Sequence, residues 1–394
     1  MIDHVVIVGG GLGAVRTAQA LRDRDFDGGI TVLSEEDVAP YDRPPLSKAF
    51  IAGTADEADV ALLDDSERAR LSLDLRLGAR AVGLAVGRRR VRLADGAEVG
   101  YEALVVATGA RPNRLRLVEG RDDVLYLRDL ADARRLRAAL ASPGRIGIVG
   151  GGFIGLEIAA VAQTLGSDVV VVEAAEAPLA PVLGAELGGW IQEWHEEHGV
   201  RFLCGTPLAR VQDAARGARL VLADGRSAEV DLVVVGVGVA PDVAWLREAG
   251  VLTHFGLVVD EDGRTSDPCV FGVGDVTCRH DAGACRRSGH WTATNEHARA
   301  VARAIVGGDA PLGPVQEGYF WSDQHDRRLQ FAGRVGAAPR LRLLHGAVED
   351  RAFVVALEDG DDVTGVFGLG LPREFIKASL ALRRRQLAPA ADGG

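Results

Sequence analysis

The sequence predicts an α/β protein in which one β–turn–α unit occurs twice and a smaller α+β domain follows. Two observations lead to this prediction. Residues 4–14 (HVVIVGGGLGA) return as residues 145–155 (RIGIVGGGFIG), and each copy passes from an apolar strand through a glycine turn toward an alanine-rich helix. After about residue 316 the pattern changes to short strands of alternating apolar and polar residues.

The two copies continue in the same order. In the first copy, a helix is predicted at residues 13–24 and a second strand at residues 30–33. In the second copy, the helix is predicted at residues 153–165 and the strand at residues 169–172. A strand, a glycine turn, a helix and a second strand together make a Rossmann-like unit.

A second pair of similar segments supports the duplication. Leu-Ala-Asp-Gly occurs at residues 93–96 and again at residues 222–225, and Asp-Gly favours a hairpin turn because both residues tolerate positive φ. Strongly apolar strands follow at residues 103–107 and 232–237. We therefore expect two units with related folds.

The first unit is predicted to be split by the second. The apolar run that ends in residues 272–275 (GVGD) is expected to be a returning strand of the first unit. Residues 1–112 and 242–315 would then form the first domain, and residues 113–241 would form an inserted second domain. The remaining residues, 316–394, are expected to form the C-terminal α+β domain.

Composition narrows the class of protein. A chain of 394 residues suits two or three domains. The formal net charge of -11 argues against a nucleic-acid-binding protein. No run of about 20 apolar residues occurs, so no membrane span is expected. The chain passes from Met1 directly into an apolar strand without a basic leader, which predicts a cytoplasmic location.

The first glycine turn has the pattern Gly9-x-Gly11-x-x-Ala14. The first glycine permits the tight turn, the second lets the backbone approach a pyrophosphate, and a small third residue lets the helix pack closely on the strand. We predict that Gly9, Gly11, Gly13 and Ala14 bind a dinucleotide. Glu35 ends the second strand, where a carboxylate binds ribose hydroxyls; the alternative is a solvated loop residue.

The second turn, Gly150-x-Gly152-x-x-Gly155, matches the complete dinucleotide-binding pattern. Its acidic partner is Glu173, at the end of the second strand of this copy. A carboxylate there accepts hydrogen bonds from the adenosine ribose and repels a 2′-phosphate. No arginine follows closely that would bind such a phosphate. We therefore predict that this unit binds NADH in preference to NADPH.

Residues 40–48 (PYDRPPLSK) form the most distinctive segment. Together with the two glycine turns, Ala107-Thr-Gly109 and Gly274-Asp275, this segment resembles the NADH-dependent ferredoxin reductases, glutathione-reductase-like flavoproteins that include putidaredoxin reductase, rhodocoxin reductase and the reductase components of aromatic-ring dioxygenases. The resemblance covers nearly the whole chain, including residues 319–324 (YFWSDQ). It implies an FAD domain, an NADH domain and a C-terminal α+β domain.

The resemblance also implies roles for individual residues around FAD. Arg43 would contact the diphosphate, and Lys48 would lie close to the isoalloxazine ring, where a cation stabilises the negative charge of reduced flavin. Asp275 would bind the ribityl chain. The alternative for the segment that contains Lys48 is a rigid surface turn. Three further residues would lie where the chain passes the cofactor: Thr108, Gly109 and Arg111, the last of which would otherwise be a surface charge.

Four more residues are assigned by the same resemblance. Glu157 would be a carboxylate near the nicotinamide, with a helix-surface glutamate as the alternative. Gly238 belongs to a loop beside the nicotinamide. Trp291 and Trp321 would lie near the flavin, although a tryptophan also commonly packs in a core. We take Lys48 and Glu157 as the candidate catalytic residues.

The cysteines point away from a thiol mechanism. Thiol-disulfide reductases of this fold carry redox cysteines in the first helical region, but residues 41–61 contain none. The four cysteines, Cys204, Cys269, Cys278 and Cys285, are too few and too irregularly spaced for a disulfide scaffold or a metal site. Electrons must then leave directly from reduced flavin.

The expected electron acceptor is an acidic [2Fe–2S] ferredoxin that serves a cytochrome P450 or a Rieske-type oxygenase. Alternatives are rubredoxin, a quinone or oxygen as acceptor, or an NADH-sensing interaction protein that resembles apoptosis-inducing factor. Paired and triple arginines at residues 286–287, 327–328 and 383–385 are candidates for a local positive patch; the alternative is scattered solvated charges. A monomer or a weak homodimer is expected.

Overall fold

The computed structural model describes residues 2–281, 284–287, 289–307, 318–336 and 339–384. The chain divides into two compact units. Unit 1 consists of Met1–Asp42, Glu57–Arg111 and Val239–Val315. Unit 2 consists of Arg43–Asp56, Pro112–Gly238 and Gln316–Gly394.

A parallel sheet of five strands forms the centre of unit 1, and the first glycine turn follows its middle strand. Alternating apolar residues leave both faces of this strand buried: Val5 and Ile7 pack on one side, Val6 and Val8 on the other. The strands, in spatial order, are Val270–Gly272, Ala103–Val106, His4–Val8, Gly29–Leu33 and Leu73–Arg76.

Helices cover this sheet, and the helix after the glycine turn packs against a long helix from the end of the unit. The three helices are Leu12–Arg22, Asp65–Leu71 and Trp291–Val306. Unit 1 also contains two small sheets of three strands each. Their strands are Ala81–Ala85, Arg90–Leu93 and Glu98–Gly100 in one, and Leu257–Val259, Thr277–Asp281 and Ala284–Arg286 in the other.

Unit 2 repeats the plan with a second parallel sheet of five strands. The spatial order is Arg201–Leu203, Asp168–Val172, Arg145–Val149, Leu232–Val235 and Val124–Tyr126. The helices of this part are Leu130–Leu140, Phe153–Thr164, Ala180–Leu183 and Ala185–Glu197. An antiparallel sheet of Leu208–Asp213, Ala218–Leu222 and Ser227–Val230 packs its apolar face on the parallel sheet.

The last part of unit 2 is an antiparallel sheet of five strands with one helix, Pro372–Arg383. The strands, in spatial order, are Phe320–Gln324, Arg327–Gly333, Asp362–Leu369, Ala352–Asp359 and Arg340–Ala347. Its aromatic residues join Leu156 and the helix Ala185–Glu197 in one apolar core. The predicted α/β fold, with two Rossmann-like sheets and a C-terminal α+β part, is confirmed.

The segment Arg43–Asp56 is grouped with unit 2, although the flanking residues on both sides belong to unit 1. The guanidinium of Arg137 lies 5.5 Å from the centre of the Phe50 ring, and its Nη1 atom donates a hydrogen bond to the carbonyl oxygen of Ala55. A cation over an aromatic face attaches this segment to the helix Leu130–Leu140.

Two of the four cysteines lie opposite each other. The structure joins Cys278 to Cys285 across the hairpin of Thr277–Asp281 and Ala284–Arg286, a single link rather than a disulfide scaffold. The Cα atoms lie 5.7 Å apart, within the range of a disulfide. The bond is local, because only seven positions separate the two residues. Cys204 and Cys269 are free thiols.

The described part of the chain contains neither a candidate membrane-spanning helix nor a candidate metal-binding cluster. None of its helices combines the length and the apolar character that crossing a membrane requires. Within the same residues, histidine, cysteine, aspartate and glutamate side chains nowhere gather in a group of three or more suited to a metal ion.

Candidate functional site

The first glycine turn of unit 1 contains two glycines with different constraints. Gly9 has a φ of +123°, and a Cβ there would lie 2.2 Å from the carbonyl oxygen of Ala107. Gly11 precedes the first helical residue, and a Cβ there would meet no protein atom within 4 Å. The space beside Gly11 is open, and the first amides of a helix have no partner within the helix, which together fit a pyrophosphate. The residues present therefore fit the predicted FAD.

The next positions of the turn are determined by packing. Ala14 is completely buried. A Cβ on Gly13 would lie 3.2 Å from a methyl group of Val273 and 3.5 Å from a methyl group of Thr294. Small residues here let the helix approach the loop before Asp275 and the helix Trp291–Val306.

Glu35 and Arg111, predicted separately, are brought together in unit 1. Nη2 of Arg111 lies 2.5 Å from Oε2 of Glu35, and its Nε lies 3.0 Å from Oδ2 of Asp242. Glu35 is also 3.4 Å from Nε of Arg80. Glu35 lies two residues beyond the strand Gly29–Leu33 and is exposed, so it is a loop carboxylate that is ion-paired with arginines. Thr108 donates a hydrogen bond to the Asp242 carbonyl oxygen on the same side, and Gly109 has a φ of +69°.

The loop that carries Asp275 is supported by the side chain of His297. Nδ1 of His297 accepts a hydrogen bond from the Gly274 amide at 3.4 Å. Burial lowers the pKa of His297 to about 4, so its ring is neutral and can accept. Gly274 itself has a φ of +77°. The Asn-Glu-His sequence that ends at His297 gave no signal of this role, because the contact depends on the tertiary fold.

Trp291 begins the helix Trp291–Val306 and is held by two polar neighbours. Its Nε1 donates a hydrogen bond to Oδ1 of Asp42 at 3.1 Å, and the guanidinium of Arg16 lies 5.8 Å from the ring centre. The orientation of this partly buried indole is therefore fixed by polar contacts and not by apolar packing alone.

The glycine turn of unit 2 has the same construction. Gly150 has a φ of +109°, and a Cβ on Gly155 would lie 2.2 Å from the Gly150 carbonyl oxygen. A Cβ on Gly152, at the helix start, would meet no protein atom within 4 Å. Oε2 of Glu173 accepts a hydrogen bond from the Gly151 amide at 2.6 Å, and Oε1 accepts one from the Ala175 amide at 2.8 Å. The carboxylate thus closes the turn that would receive a nucleotide.

The two candidate catalytic residues, Lys48 and Glu157, form an ion pair in unit 2. Nζ of Lys48 lies 2.8 Å from Oε1 of Glu157. Only 5% of Glu157 is exposed, so it is not a helix-surface residue. Ser47 donates a short hydrogen bond to Oε2 of the same carboxylate, and Ser322 donates one to Oε1 at 2.5 Å. A buried carboxylate with a cation and two hydroxyl donors is well compensated for its loss of water.

The remaining predicted residues of unit 2 make other contacts. Arg43 donates a hydrogen bond to the carbonyl oxygen of Arg128 at 3.0 Å. Gly238 has a φ of +88° in the loop after its strand. Trp321, partly buried, stacks on Tyr319 with ring centres 6.1 Å apart.

The geometry defines a class of protein. The middle strand of each parallel sheet leads into a glycine turn with an open space at a helix start. Lys48, in the segment where thiol reductases carry cysteines, is paired with the buried carboxylate of Glu157. The protein is an oxidoreductase that uses FAD and NADH. The chain belongs to the family described as pyridine nucleotide-disulphide oxidoreductases, which matches residues 3–302, and a reductase C-terminal domain matches residues 319–392.

Known proteins of similar sequence span almost the whole chain. The probable ferredoxin reductase CtmF of Castellaniella defragrans is 37% identical over 98% of this chain and 95% of its own length. The ferredoxin--NAD(+) reductase component of the anthranilate 1,2-dioxygenase system of Burkholderia cepacia is 37% identical over 98% of this chain and 93% of its own. Rhodocoxin reductase of Rhodococcus erythropolis is 34% identical over 95% and 88%.

A solved structure of similar fold is the covalent complex of putidaredoxin reductase with putidaredoxin. The matching chain superposes with a TM-score of 0.91 at 30% sequence identity, and the match covers 97% of this chain and 93% of the other.

Proposed function

We propose that this protein passes electrons from NADH through FAD to a [2Fe–2S] ferredoxin that serves a cytochrome P450 or a Rieske-type oxygenase. The observation that carries the proposal is that Lys48, which pairs with Glu157, lies in a segment without cysteine, because a flavoprotein without an internal thiol relay delivers electrons directly from its flavin. The names of the relatives agree with this acceptor class, since they include ferredoxin reductases and a reductase crystallised with its redox partner.

The overall reaction converts NADH and two oxidised ferredoxins into NAD⁺, one proton and two reduced ferredoxins. When bound, FAD supplies the conversion between a two-electron donor and one-electron acceptors. The chain supplies binding and electrostatics. Gly11 and Gly152 offer helix-start amides to the two pyrophosphates. Glu173 disfavours a 2′-phosphate, and Lys48, held by Glu157, supplies positive charge.

The residues that we propose for each cofactor are as follows. For FAD these are Gly9, Gly11, Gly13, Ala14, Glu35, Arg43, Lys48, Thr108, Gly109, Arg111, Asp275, Trp291 and Trp321. For NADH they are Gly150, Gly152, Gly155, Glu157, Glu173 and Gly238. We propose that residues 1–112 and 242–315 form the FAD domain, residues 113–241 the NADH domain and residues 316–394 the C-terminal domain.

The ferredoxin is proposed to be acidic and to approach local positive charge. Arg287, Arg383 and Arg384 are exposed. Arg328 is ion-paired with Asp323, and Nε of Arg327 lies 3.6 Å from Asp326, so this pair contributes less charge than its sequence suggests. Arg385 and the side chain of Arg286 lie outside the described residues. We also propose a cytoplasmic location and a monomer or weak homodimer.

Acceptor screening tests the proposal. The FAD-loaded protein is mixed with NADH and, in parallel, with a [2Fe–2S] ferredoxin, rubredoxin, a quinone or oxygen alone, and NADH oxidation is followed. We expect a ferredoxin from the same genome to be reduced much faster than the other acceptors. If every ferredoxin is slower than quinone or oxygen, the acceptor is wrong, while the FAD and NADH chemistry stands.

A further inference from the structure

Glu157 is the end point of a chain of hydrogen bonds that crosses unit 2. Ser322 donates to Oε1 of Glu157 at 2.5 Å, and Nε2 of Gln324 donates to Oγ of Ser322 at 3.0 Å. Oε1 of Gln324 is 2.8 Å from Nε2 of His195, and Nδ1 of His195 is 3.0 Å from Nε2 of His325. The three inner residues, Ser322, Gln324 and His195, are each at most 1% exposed.

The carboxylate determines the direction of every bond in this chain. Glu157 is paired with Lys48 and is therefore an acceptor only, so the Ser322 hydroxyl must give its proton to Glu157. Ser322 then accepts from the NH₂ group of Gln324, which leaves the Gln324 carbonyl oxygen to accept from His195. The orientation of the Gln324 amide and the tautomer of His195 follow from this order of donors and acceptors.

The histidines have the protonation state that the chain requires. Burial lowers the pKa of His195 to about 4, and burial together with the nearby His195 and His198 lowers the pKa of His325 to about 3. A neutral His195 has one donor nitrogen for Gln324 and one acceptor nitrogen for His325. His198 stacks on His325 with ring centres 4.1 Å apart but makes its Nδ1 contact to the Trp194 carbonyl oxygen, outside the chain.

We propose that Ser322, Gln324 and His195 are positioning residues that tune the Lys48–Glu157 pair for flavin reduction by NADH. Ser322 and Lys48 share one oxygen, Oε1, so the serine hydroxyl takes up part of the negative charge that would otherwise neutralise the ammonium. Aligned hydrogen bonds polarise one another, and the donors behind Ser322 strengthen this effect. More of the Lys48 charge then remains available to stabilise reduced flavin. The inference rests on the proposed function.

The chain orients groups and does not conduct protons. A proton entering from His195 would have to leave Gln324 through its amide nitrogen, and a neutral amide does not exchange protons in this way at moderate cost. The role of Gln324 is to turn the Ser322 hydroxyl toward Glu157.

The test is the half-reaction of the FAD-loaded protein with NADH, without any acceptor. Anaerobic stopped-flow mixing at several NADH concentrations gives the limiting rate constant of flavin reduction and the dissociation constant of NADH. Ser322→Ala removes the last donor, and Ser322→Thr keeps a hydroxyl. We expect Ser322→Ala to lower the limiting rate constant at least about threefold and to make the flavin harder to reduce, with NADH affinity little changed.

A second pair of variants tests the end of the hydrogen-bonded chain that lies farthest from Glu157. His325 has a φ of +46°, a conformation that asparagine tolerates, so His325→Asn should fold even if an inner substitution does not. It should slow flavin reduction by a smaller factor than Ser322→Ala. The matched control is His198→Gln, which changes the neighbouring histidine outside the hydrogen-bonded chain and should leave the rate constant unchanged.

The outcomes separate the inference from the function on which it rests. Slower reduction in Ser322→Ala that Ser322→Thr restores, with no effect of His198→Gln, supports it. Unchanged rate constants in Ser322→Ala, or in His325→Asn if the inner variants do not fold, overturn it. A loss of NADH affinity instead of rate also overturns it. A wild-type flavin that NADH does not reduce would overturn the proposed function and this inference with it.

Discussion

Gly9 and Gly11 belong to one turn, yet a Cβ at Gly9 would lie 2.2 Å from the Ala107 carbonyl oxygen whereas a Cβ at Gly11 would meet no protein atom within 4 Å. The fold therefore requires a glycine at position 9, whereas no protein atom prevents a larger residue at position 11. If a side chain at Gly11 causes a loss of cofactor binding, the reason must therefore be that it occupies the space of the ligand.

Gly11→Val should give a folded protein that does not retain FAD, because its side chain occupies the space that the pyrophosphate needs. Gly9→Val should instead impair folding, since it adds both a clash and a strained positive φ. Circular dichroism and the FAD-to-protein ratio distinguish the two variants. Stoichiometric FAD in purified Gly11→Val would contradict the assignment of this turn.

The wild-type protein should have a higher kcat/KM for NADH than for NADPH, and Glu173→Arg should narrow or invert this preference. Glu173 also binds the Gly151 and Ala175 amides, so the substitution should raise the KM for both nucleotides. Glu173→Gln, which keeps one acceptor oxygen and removes the charge, is the control. Equal kcat/KM for the two nucleotides before any substitution would show that Glu173 does not discriminate between them.

Replacing all four cysteines by serine should leave NADH oxidation by ferricyanide largely intact, because no cysteine lies in residues 41–61. The Cys278–Cys285 link closes only a short hairpin, so its loss should cost less stability than the loss of a link that closes a long loop. FAD content is measured beside turnover. A variant that keeps its FAD but no longer turns over would reveal a thiol step.

Acid should destabilise the protein before its carboxylates titrate. The pKa of His195 is lowered to about 4 and that of His325 to about 3, from 6.5. As pH falls from about 6.5 toward these values, the unfolded chain binds protons that the native state does not, and the free energy of unfolding decreases by up to about 1.4 kcal/mol per pH unit for each histidine.

Urea midpoints between pH 7.5 and pH 5 measure this loss. His325→Asn should make the midpoint less dependent on pH, whereas His254→Gln, at an exposed histidine, should not. An equally steep pH dependence in wild type and His325→Asn would mean that His325 does not contribute.

Reduction of a cognate ferredoxin should slow at high salt, and reversing the charges of Arg327 and Arg328 should slow it further, because exposed charges act mainly on the association rate. NADH oxidation by ferricyanide should change little. Reversal of Arg210 and Arg216, exposed elsewhere in unit 2, is the control. The effect of the first pair is expected to be modest, since Asp323 and Asp326 already balance part of its charge.

The parts that sequence reasoning predicted depend on local chemistry. A glycine turn between an apolar strand and an alanine-rich helix has few conformations, and it was predicted correctly in both units. The pairing of Lys48 with Glu157 was not predictable, because each residue was identified by its own motif and only the tertiary fold brings them together. The same holds for His297, whose partner is the backbone amide of Gly274.

The hydrogen-bonded chain that ends at Glu157 could not be predicted from the sequence for a further reason. Its members come from a helix, a strand and a turn, and serine, glutamine and histidine carry no signature of their own. Residues 319–324 pointed to the flavin through Trp321, whereas the buried face of the same strand presents Ser322 and Gln324 to Glu157 and His195. Alternation along a strand assigns the two sets of side chains to opposite faces.

The segment Arg43–Asp56 has a practical consequence for protein engineering. Because Phe50 and Ala55 are attached to Arg137, and Lys48 is paired with Glu157, this stretch belongs structurally with unit 2 although residues of unit 1 flank it on both sides. A chimera that exchanges only residues 113–241 with a relative would separate the segment Arg43–Asp56 from Arg137 and Glu157, which it contacts. Recombination that transfers Arg43–Asp56 along with the insert should yield far more functional hybrids.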